Sequence, residues 1–164
     1  MTHHAIYAVA CTLALAAAAA PAGPYAFQGG TVEVDYWAGN GPNETIVAID
    51  WNGTNGPYAT AAHAFGYRWD GSGNVKDALL AIEAAGGLQI ACGLGGGYLS
   101  HAWYSDADGD EHDTQAPTDY AGWWWTGQTT DFGATWTGNG GGLDVEPLVD
   151  GNIEGLNIDG TNWT

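Results

Sequence analysis

The stretch NVKDALLAIEAAGG, residues 74–87, decides the fold class, because it carries the single convincing helix signal of the chain. Asn74 is a preferred N-cap residue, and Asp77 stands at the third helical position, where it can complete a capping box. Four apolar residues recur at helical spacing: Val75, Ala78, Leu79 and Ile82. The glycine pair at residues 86–87 predicts that the helix ends at a residue in the left-handed backbone conformation. One apolar stripe needs one packed face, so we expect this helix to lie against a sheet.

Short β-strand candidates lie on both sides of the predicted helix, separated by turns rich in Gly, Asn and Asp. Residues 31–37 alternate strictly, which predicts Val32, Val34 and Tyr36 on one face and acidic residues on the other. The remaining candidates are residues 45–51, 62–69, 88–92, 98–104, 122–126, 134–137 and 153–158. One helix among many strands predicts an α+β fold, mostly antiparallel β with a single amphipathic helix packed on a sheet that includes residues 88–92.

The N-terminal segment has the pattern of a secretory signal peptide. Residues 5–20 are an uninterrupted run of apolar and small residues, Pro21 breaks it, and residues 20–22 offer a small-x-small cleavage site. We therefore expect a signal peptide at residues 1–22 and a single secreted β-rich domain at residues 23–164. Cys11 in the leader leaves lipid anchoring as an alternative. Cleavage would leave Cys92 as the sole cysteine, in an apolar stretch that favours a buried thiol over a reactive one.

The chain is strongly acidic. Two basic side chains, Arg68 and Lys76, face nineteen carboxylates, which gives a formal net charge of −17. Nucleic acids and anionic membranes are contacted through clusters of Lys and Arg, so we expect neither as a partner. The charge favours solubility and the uptake of cations.

The segment DADGDEHD, residues 106–113, is the sharpest chemical motif. Alternating carboxylates around a glycine suit a hard cation with six to eight oxygen ligands, and the segment is similar to calcium loops of the Asp-x-Asp-x-Asp-Gly kind. Calcium is therefore the predicted cofactor. The predicted ligands are Asp106, Asp108, Asp110 and Asp113.

The match to a calcium loop is partial, which leaves other interpretations open. Gly109 stands at the fourth position instead of the sixth, and Pro117 at the twelfth cannot supply a carboxylate. A solvated acidic turn is one alternative. A transition-metal site that uses His101 or His112 is another. His63 alternates within a strand candidate, and we expect it to be a packed or surface histidine instead of a ligand.

Three consecutive tryptophans, residues 123–125, stand out among the nine of the chain. Successive side chains of a strand point to opposite faces, so Trp124 should oppose both neighbours. One interpretation is that large aromatic residues fill the core of a Gly-rich domain. The other is a flat platform for a sugar ring or another planar apolar ligand. The predicted ligand-binding residues are Tyr120, Trp123, Trp124, Trp125 and Trp136.

A series of short motifs resembles the transcobalamin-like C-terminal module across residues 31–158. The motifs are FGY at 65–67, NVKDAL at 74–79, GYLS at 97–100, YAGWWW at 120–125 and DGNIE at 150–154. The resemblance implies a β-grasp-like module for ligand binding or adhesion. In cobalamin carriers the module closes over the corrin beside a separate helical domain. We expect no counterpart of that domain here, so the resemblance does not imply that this chain binds cobalamin.

Two further segments, WAGNGPNE at 37–44 and AFGYRWDG at 64–71, resemble bacterial secreted proteins that carry a C-terminal sorting signal. Those proteins end in a Pro-Glu-Pro motif, an apolar helix and a basic tail. This chain ends in NWT at 162–164, so we do not expect permanent sorting to the surface.

The motifs of common enzyme classes do not occur. There is no Gly-x-Ser-x-Gly elbow, and GLGGG at 93–97 lacks the following Gly-Lys-Ser/Thr of a phosphate-binding loop. We expect a secreted or cell-surface, non-enzymatic module that binds a small apolar, planar or sugar ligand through an aromatic face. The alternative is a structural or adhesive matrix protein that assembles with copies of itself. An exposed Trp face would favour the first function, and an unprotected sheet edge the second.

Overall fold

The computed structural model of the protein describes residues 20–21, 23–51, 62–113 and 124–157. Within these ranges the chain forms eleven β-strands, one α-helix and one 3-10 turn, Leu94–Gly96. The strands are β1 (Ala20–Pro21), β2 (Pro24–Phe27), β3 (Gly30–Gly39), β4 (Asn43–Asp50), β5 (Ala62–Trp69), β6 (Gln89–Gly93), β7 (Tyr98–Ser105), β8 (Glu111–Asp113), β9 (Trp125–Thr129), β10 (Thr137–Gly138) and β11 (Ile153–Asn157). The helix is α1 (Val75–Ala85).

The strands form two sheets. The large sheet has the order β1-β3-β5-β4-β11-β9-β10, with β2 paired to β3, and the small sheet has the order β6-β7-β8. Two pairs, β3 with β5 and β4 with β11, are parallel, and all other described pairs are antiparallel. The predicted α+β class, mostly antiparallel with one helix on a sheet, is confirmed for the described residues.

The helix starts as the sequence predicts. Asn74 Oδ1 accepts a hydrogen bond from Asp77 N at 2.9 Å, and Asp77 Oδ2 accepts one from Asn74 N at 3.0 Å, which completes the capping box. The helix packs on β3, β5 and β6. Its buried residues are the four predicted ones, Val75, Ala78, Leu79 and Ile82.

The prediction that the helix ends at a glycine in the left-handed conformation is wrong. Gly86 has a φ of −147°, an extended conformation, and its N–H still donates to Ile82 O. The Tyr36 hydroxyl donates to the same carbonyl at 3.1 Å and accepts from Leu88 N at 3.2 Å. A Cβ at Gly86 would clash with the Tyr36 ring, so this glycine permits close approach of a side chain.

Each face of the large sheet has its own core. The inner face lies under α1 and the small sheet, and its largest core residues include Val47, Ile49, Phe65, Leu79, Leu99 and Leu156. The outer face carries a smaller cluster built from Phe27, Val34, Ile46, Ala64 and Ile153. The small sheet is therefore held against the inner face by apolar burial beside the helix.

A β-bulge in β3 breaks the predicted alternation. Val34 pairs with Ala64 and Trp37 pairs with Gly66, so the stretch between them has one more residue on β3 than on β5. Val34 consequently packs in the outer cluster, whereas Tyr36 packs in the inner one. The prediction that these two side chains share a face is wrong, because the bulge reverses the alternation.

In the described part of the chain, no helix has the length and apolar character required to cross a membrane. Residues 1–19 and 22 of the predicted signal peptide lie outside the described residues.

Candidate metal centre

Three side chains from both sheets bring one potential ligand atom each to a common point between them. His63 comes from β5, Asp106 directly follows β7, and His112 is the middle residue of β8. The Nε2 atoms of His63 and His112 are 3.1 Å apart, and Asp106 Oδ2 lies 3.2 Å from His112 Nε2 and 3.8 Å from His63 Nε2. These residues, which could hold a metal ion, are referred to below as the metal centre.

The size of this triangle fits a small divalent ion. A tetrahedral ion at about 2.0–2.1 Å from each ligand separates the ligand atoms by about 3.3–3.4 Å. The three observed separations lie on both sides of that value. Two imidazole nitrogens and one carboxylate oxygen form a ligand set known from catalytic zinc sites, and they leave a fourth position for another donor.

Asp35 fixes the orientation of the first ligand. Its Oδ2 lies 2.8 Å from His63 Nδ1, so the Nδ1–H donates to the carboxylate and Nε2 presents its lone pair to the triangle. Metal-binding histidines in proteins usually have such a partner on the other ring nitrogen. The bulge in β3 brings Asp35 to the inner face, although strict alternation predicts it on the opposite face from Tyr36.

The turn between β7 and β8 fixes the carboxylate. Asp106 Oδ1 accepts the backbone N–H groups of Asp108 at 3.0 Å and Asp110 at 2.9 Å, which leaves Oδ2 for the triangle. Gly109 has a φ of +86° within this turn, a conformation that favours glycine. Desolvation raises the pKa of Asp106, but hydrogen bonds from His112 and from the backbone of Asp110 and Asp108 lower it below its ordinary value. The side chain is thus held as a carboxylate.

Aromatic rings enclose the centre on the inner side. The Trp51 ring lies edge-on to His63 at 6.0 Å and 5.5 Å from His112, and the Tyr104 ring lies 5.0 Å from His63. The His112 side chain is 2% exposed, while His63 and Asp106 retain partial exposure. Burial, together with the charges of Asp35 and Asp106, raises the pKa of Tyr104. The centre therefore lies at the edge of the core with one side towards solvent.

The same three atoms can share a proton. With Nδ1–H of His63 bound to Asp35, His63 Nε2 is an acceptor, so an Nε2–H on His112 can point towards both His63 Nε2 and Asp106 Oδ2. A metal ion replaces that single proton and bonds to all three atoms at once. A metal-bound histidine is neutral, so the proton of His112 would then be on Nδ1 instead of Nε2.

The predicted calcium ligands are not brought together by the structure. Asp106 belongs to the metal centre, but Asp108, Asp110 and Asp113 are not members of the one group of potential ligands found among the described residues. Asp108 and Asp113 are exposed and Asp110 is half-buried. His101, the other predicted metal-binding histidine, forms an ion pair with Asp113, with Nε2 and Oδ1 3.2 Å apart. Calcium binding by this turn stays a prediction.

Sequence reasoning missed His63 and Asp35 as members of a site. His63 is packed, as expected, yet its Nε2 faces His112 and Asp106. The available signal was the alternation of β5, which puts His63 on the same inner face as Phe65. No sequence signal indicated the bulge that brings Asp35 to it.

The predicted aromatic ligand site is described in part. Tyr120 and Trp123 lie outside the described residues. Trp124 is 7% exposed and belongs to the inner core, whereas Trp125 is 57% exposed, so these neighbours point to opposite sides as predicted. Trp136 is half-buried and packs with the outer cluster. A Cβ at Gly127, two residues after Trp125 on the same face, would contact the Trp136 ring at 3.7 Å.

The chain matches no family model, no curated protein and no solved structure. The resemblance to the transcobalamin-like C-terminal module stays a prediction that rests on the sequence motifs.

Proposed function

We propose that this chain is a secreted, non-enzymatic domain that binds one divalent transition-metal ion, zinc foremost, through His63 Nε2, His112 Nε2 and Asp106 Oδ2. The observation that carries the proposal is the triangle of 3.1, 3.2 and 3.8 Å between these atoms. Mixed nitrogen and oxygen ligands suit zinc and its neighbours, whereas calcium prefers six to eight oxygens.

Preorganisation supports this proposal over a chance meeting of polar side chains. Asp35 holds the His63 ring by a contact of 2.8 Å, and two backbone N–H groups hold the Asp106 carboxylate. Both ligands therefore keep their orientation before the ion arrives, which reduces the entropy lost on binding. The net charge of −17 also raises the local concentration of cations around the chain.

Calorimetric titration of the purified protein with zinc chloride tests the proposal. We expect one ion per chain and a marked loss of affinity in His112→Ala and Asp106→Asn. The matched control is His101→Ala, which removes a histidine paired to Asp113 outside the metal centre. Equal affinity in the wild type and both ligand variants, or an equal loss in His101→Ala, would contradict the assignment. Trp51 lies against both histidines, so quenching of its fluorescence by Cu²⁺ provides an independent readout.

A second candidate function is binding of a planar apolar or sugar ligand by the outer aromatic surface. The specific observation in its favour is Trp125, a large ring that is 57% exposed on the face where Trp136 also packs. Replacement of Trp125 by Ala should abolish ligand-induced fluorescence changes with oligosaccharide probes and leave the fold intact. Trp124→Ala is the contrasting variant, because its ring is buried and its loss should destabilise the fold. An unchanged response in Trp125→Ala would exclude ligand binding by this surface. Self-assembly into a matrix would then remain as the alternative function.

A further inference from the structure

The metal centre joins two sheets that also meet through apolar contacts and through a hydrogen bond from Trp51 Nε1 to Ala102 O at 3.0 Å. His63 and its partner Asp35 belong to β5 and β3 of the large sheet, while Asp106 and His112 belong to the β7–β8 turn and to β8 of the small sheet. An ion bound here is thus bonded to both sheets at once. Nearer the helix, the small sheet is anchored by apolar residues of the inner core, among them Leu88, Leu99 and Ala102.

The segment 106–113, called the β8 segment below, has little apolar contact of its own. β8 has three residues, and its burial pattern is exposed, buried, exposed. His112 is the one buried side chain of this strand, and its ring faces His63, Asp106 and Trp51. Pairing with β7 and the His101–Asp113 ion pair hold this segment within the small sheet. Exposed edge strands with few apolar contacts open at low free energy, so its attachment to the large sheet depends on what the His112 ring binds.

Resting on the metal-binding function proposed above, we propose that the ion acts as a latch that holds the β8 segment onto the large sheet. With zinc bound, opening of the segment requires either the His63–metal bond or both the His112–metal and Asp106–metal bonds to break. Without zinc, one shared proton joins the same atoms, and the segment opens more often. The opening uncovers Trp51, whose ring packs against His112, and Tyr104, which pairs with His112 across the two strands. The rest of the inner core keeps its apolar contacts with α1 in both states.

Hydrogen exchange followed by mass spectrometry tests the latch on the full chain, with zinc and with a chelator. At a zinc concentration a hundred times Kd, opening that requires metal release becomes about a hundredfold rarer, and amide exchange slows in proportion. We expect this slowing in peptides from the β8 segment and its partner strand β7, where Tyr104 pairs with His112. Peptides from α1 should exchange at the same rate with and without zinc.

Two variants keep the test decisive. Asp106→Asn retains an oxygen for the two backbone N–H groups of the turn but removes the carboxylate, so the zinc-dependent protection should disappear. His101→Ala, outside the centre, should keep it. Zinc binding by calorimetry without protection of the β8 segment overturns the latch and leaves the metal-binding function standing. Equal protection of α1 also overturns it, because the ion would then stabilise the whole fold. Absence of zinc binding removes both proposals.

Discussion

Two carboxyl groups of this molecule, the partly exposed Asp106 and the buried Glu154, differ in what compensates their charge. At the metal centre, Asp35 orients His63, and two backbone N–H groups hold one oxygen of Asp106. Glu154, the second residue of β11, is 1% exposed. Its Oε1 has no hydrogen-bond partner among the described residues, and its Oε2 receives Asn139 Nδ2 at a long 3.5 Å.

The difference shows in the protonation of the two carboxyl groups. Hydrogen bonds keep the pKa of Asp106 below its ordinary value despite desolvation. Burial raises the pKa of Glu154 to about 7, with the Asn139 hydrogen bond lowering it in part and the charge of Glu146 raising it further. A carboxylate with its donors in place is ready for a cation, whereas one without them keeps a proton. The contrast shows that the hydrogen-bond donors around a carboxyl group decide whether it is present as a carboxylate.

The largest expected effect concerns Glu154 and the dependence of stability on pH. The unfolded state releases this proton near pH 4.5 and the folded state near pH 7, so the folded state binds more protons in between. The free energy of unfolding should therefore fall as pH rises from 4.5 to 7, by roughly 3 kcal/mol in total from this group. Glu154→Gln should remove that fall and be more stable than the wild type above pH 7.

Urea denaturation of the wild type and Glu154→Gln across this range measures the difference. Other titrating groups contribute to both proteins and cancel when the curves are subtracted. Glu146→Gln is the control, because it removes the neighbouring charge but leaves the buried carboxyl. Parallel curves for the wild type and Glu154→Gln would show that Glu154 is ionised in the folded state, and the contrast with Asp106 would then be lost.

Local patterns in the sequence predicted most of the fold. The cap at Asn74 and the apolar stripe defined α1, and the strand candidates at 62–69 and 98–104 coincide with β5 and β7 to within one residue. β8 was not predicted, because Glu111, His112 and Asp113 offer no apolar alternation. β2 was missed too, and the candidate at 134–137 is largely a turn that ends in β10.

The metal centre depends on non-local contacts that no local pattern encodes. His63 meets His112 because two sheets dock, and Asp35 reaches His63 because β3 carries a bulge opposite β5. The acidic motif includes Asp106, which the structure places beside His63 and His112. Its neighbours Asp108 and Asp110 contribute backbone N–H groups to Asp106, instead of the carboxylates that the motif suggested.

A smaller effect tests whether the orientation of His63 distinguishes the metal centre from a chance cluster. Asp35→Asn keeps the size of the side chain but removes the charge that holds His63 Nδ1–H, so zinc affinity should fall about 10- to 100-fold. Calorimetry measures the change. Asp70→Asn, the same substitution at an exposed turn residue, is the matched control and should leave the affinity unchanged. If the two variants bind zinc equally well, Asp35 has no orienting role.

The smallest expected effect concerns the calcium prediction for the acidic turn. A cation that binds the folded state alone stabilises it by RT ln(1 + [L]/Kd), whereas sodium acts through screening. If Asp108 and Asp110 bind calcium, millimolar calcium should raise the melting temperature beyond ionic-strength-matched sodium, and the double change Asp108→Asn with Asp110→Asn should erase that increment. The same double variant should bind zinc as the wild type does, because its backbone N–H groups still hold Asp106. Equal stabilisation by calcium and sodium would show that the turn is solvated and does not bind calcium. Asp106 would then be the one carboxylate of the turn that belongs to the metal centre.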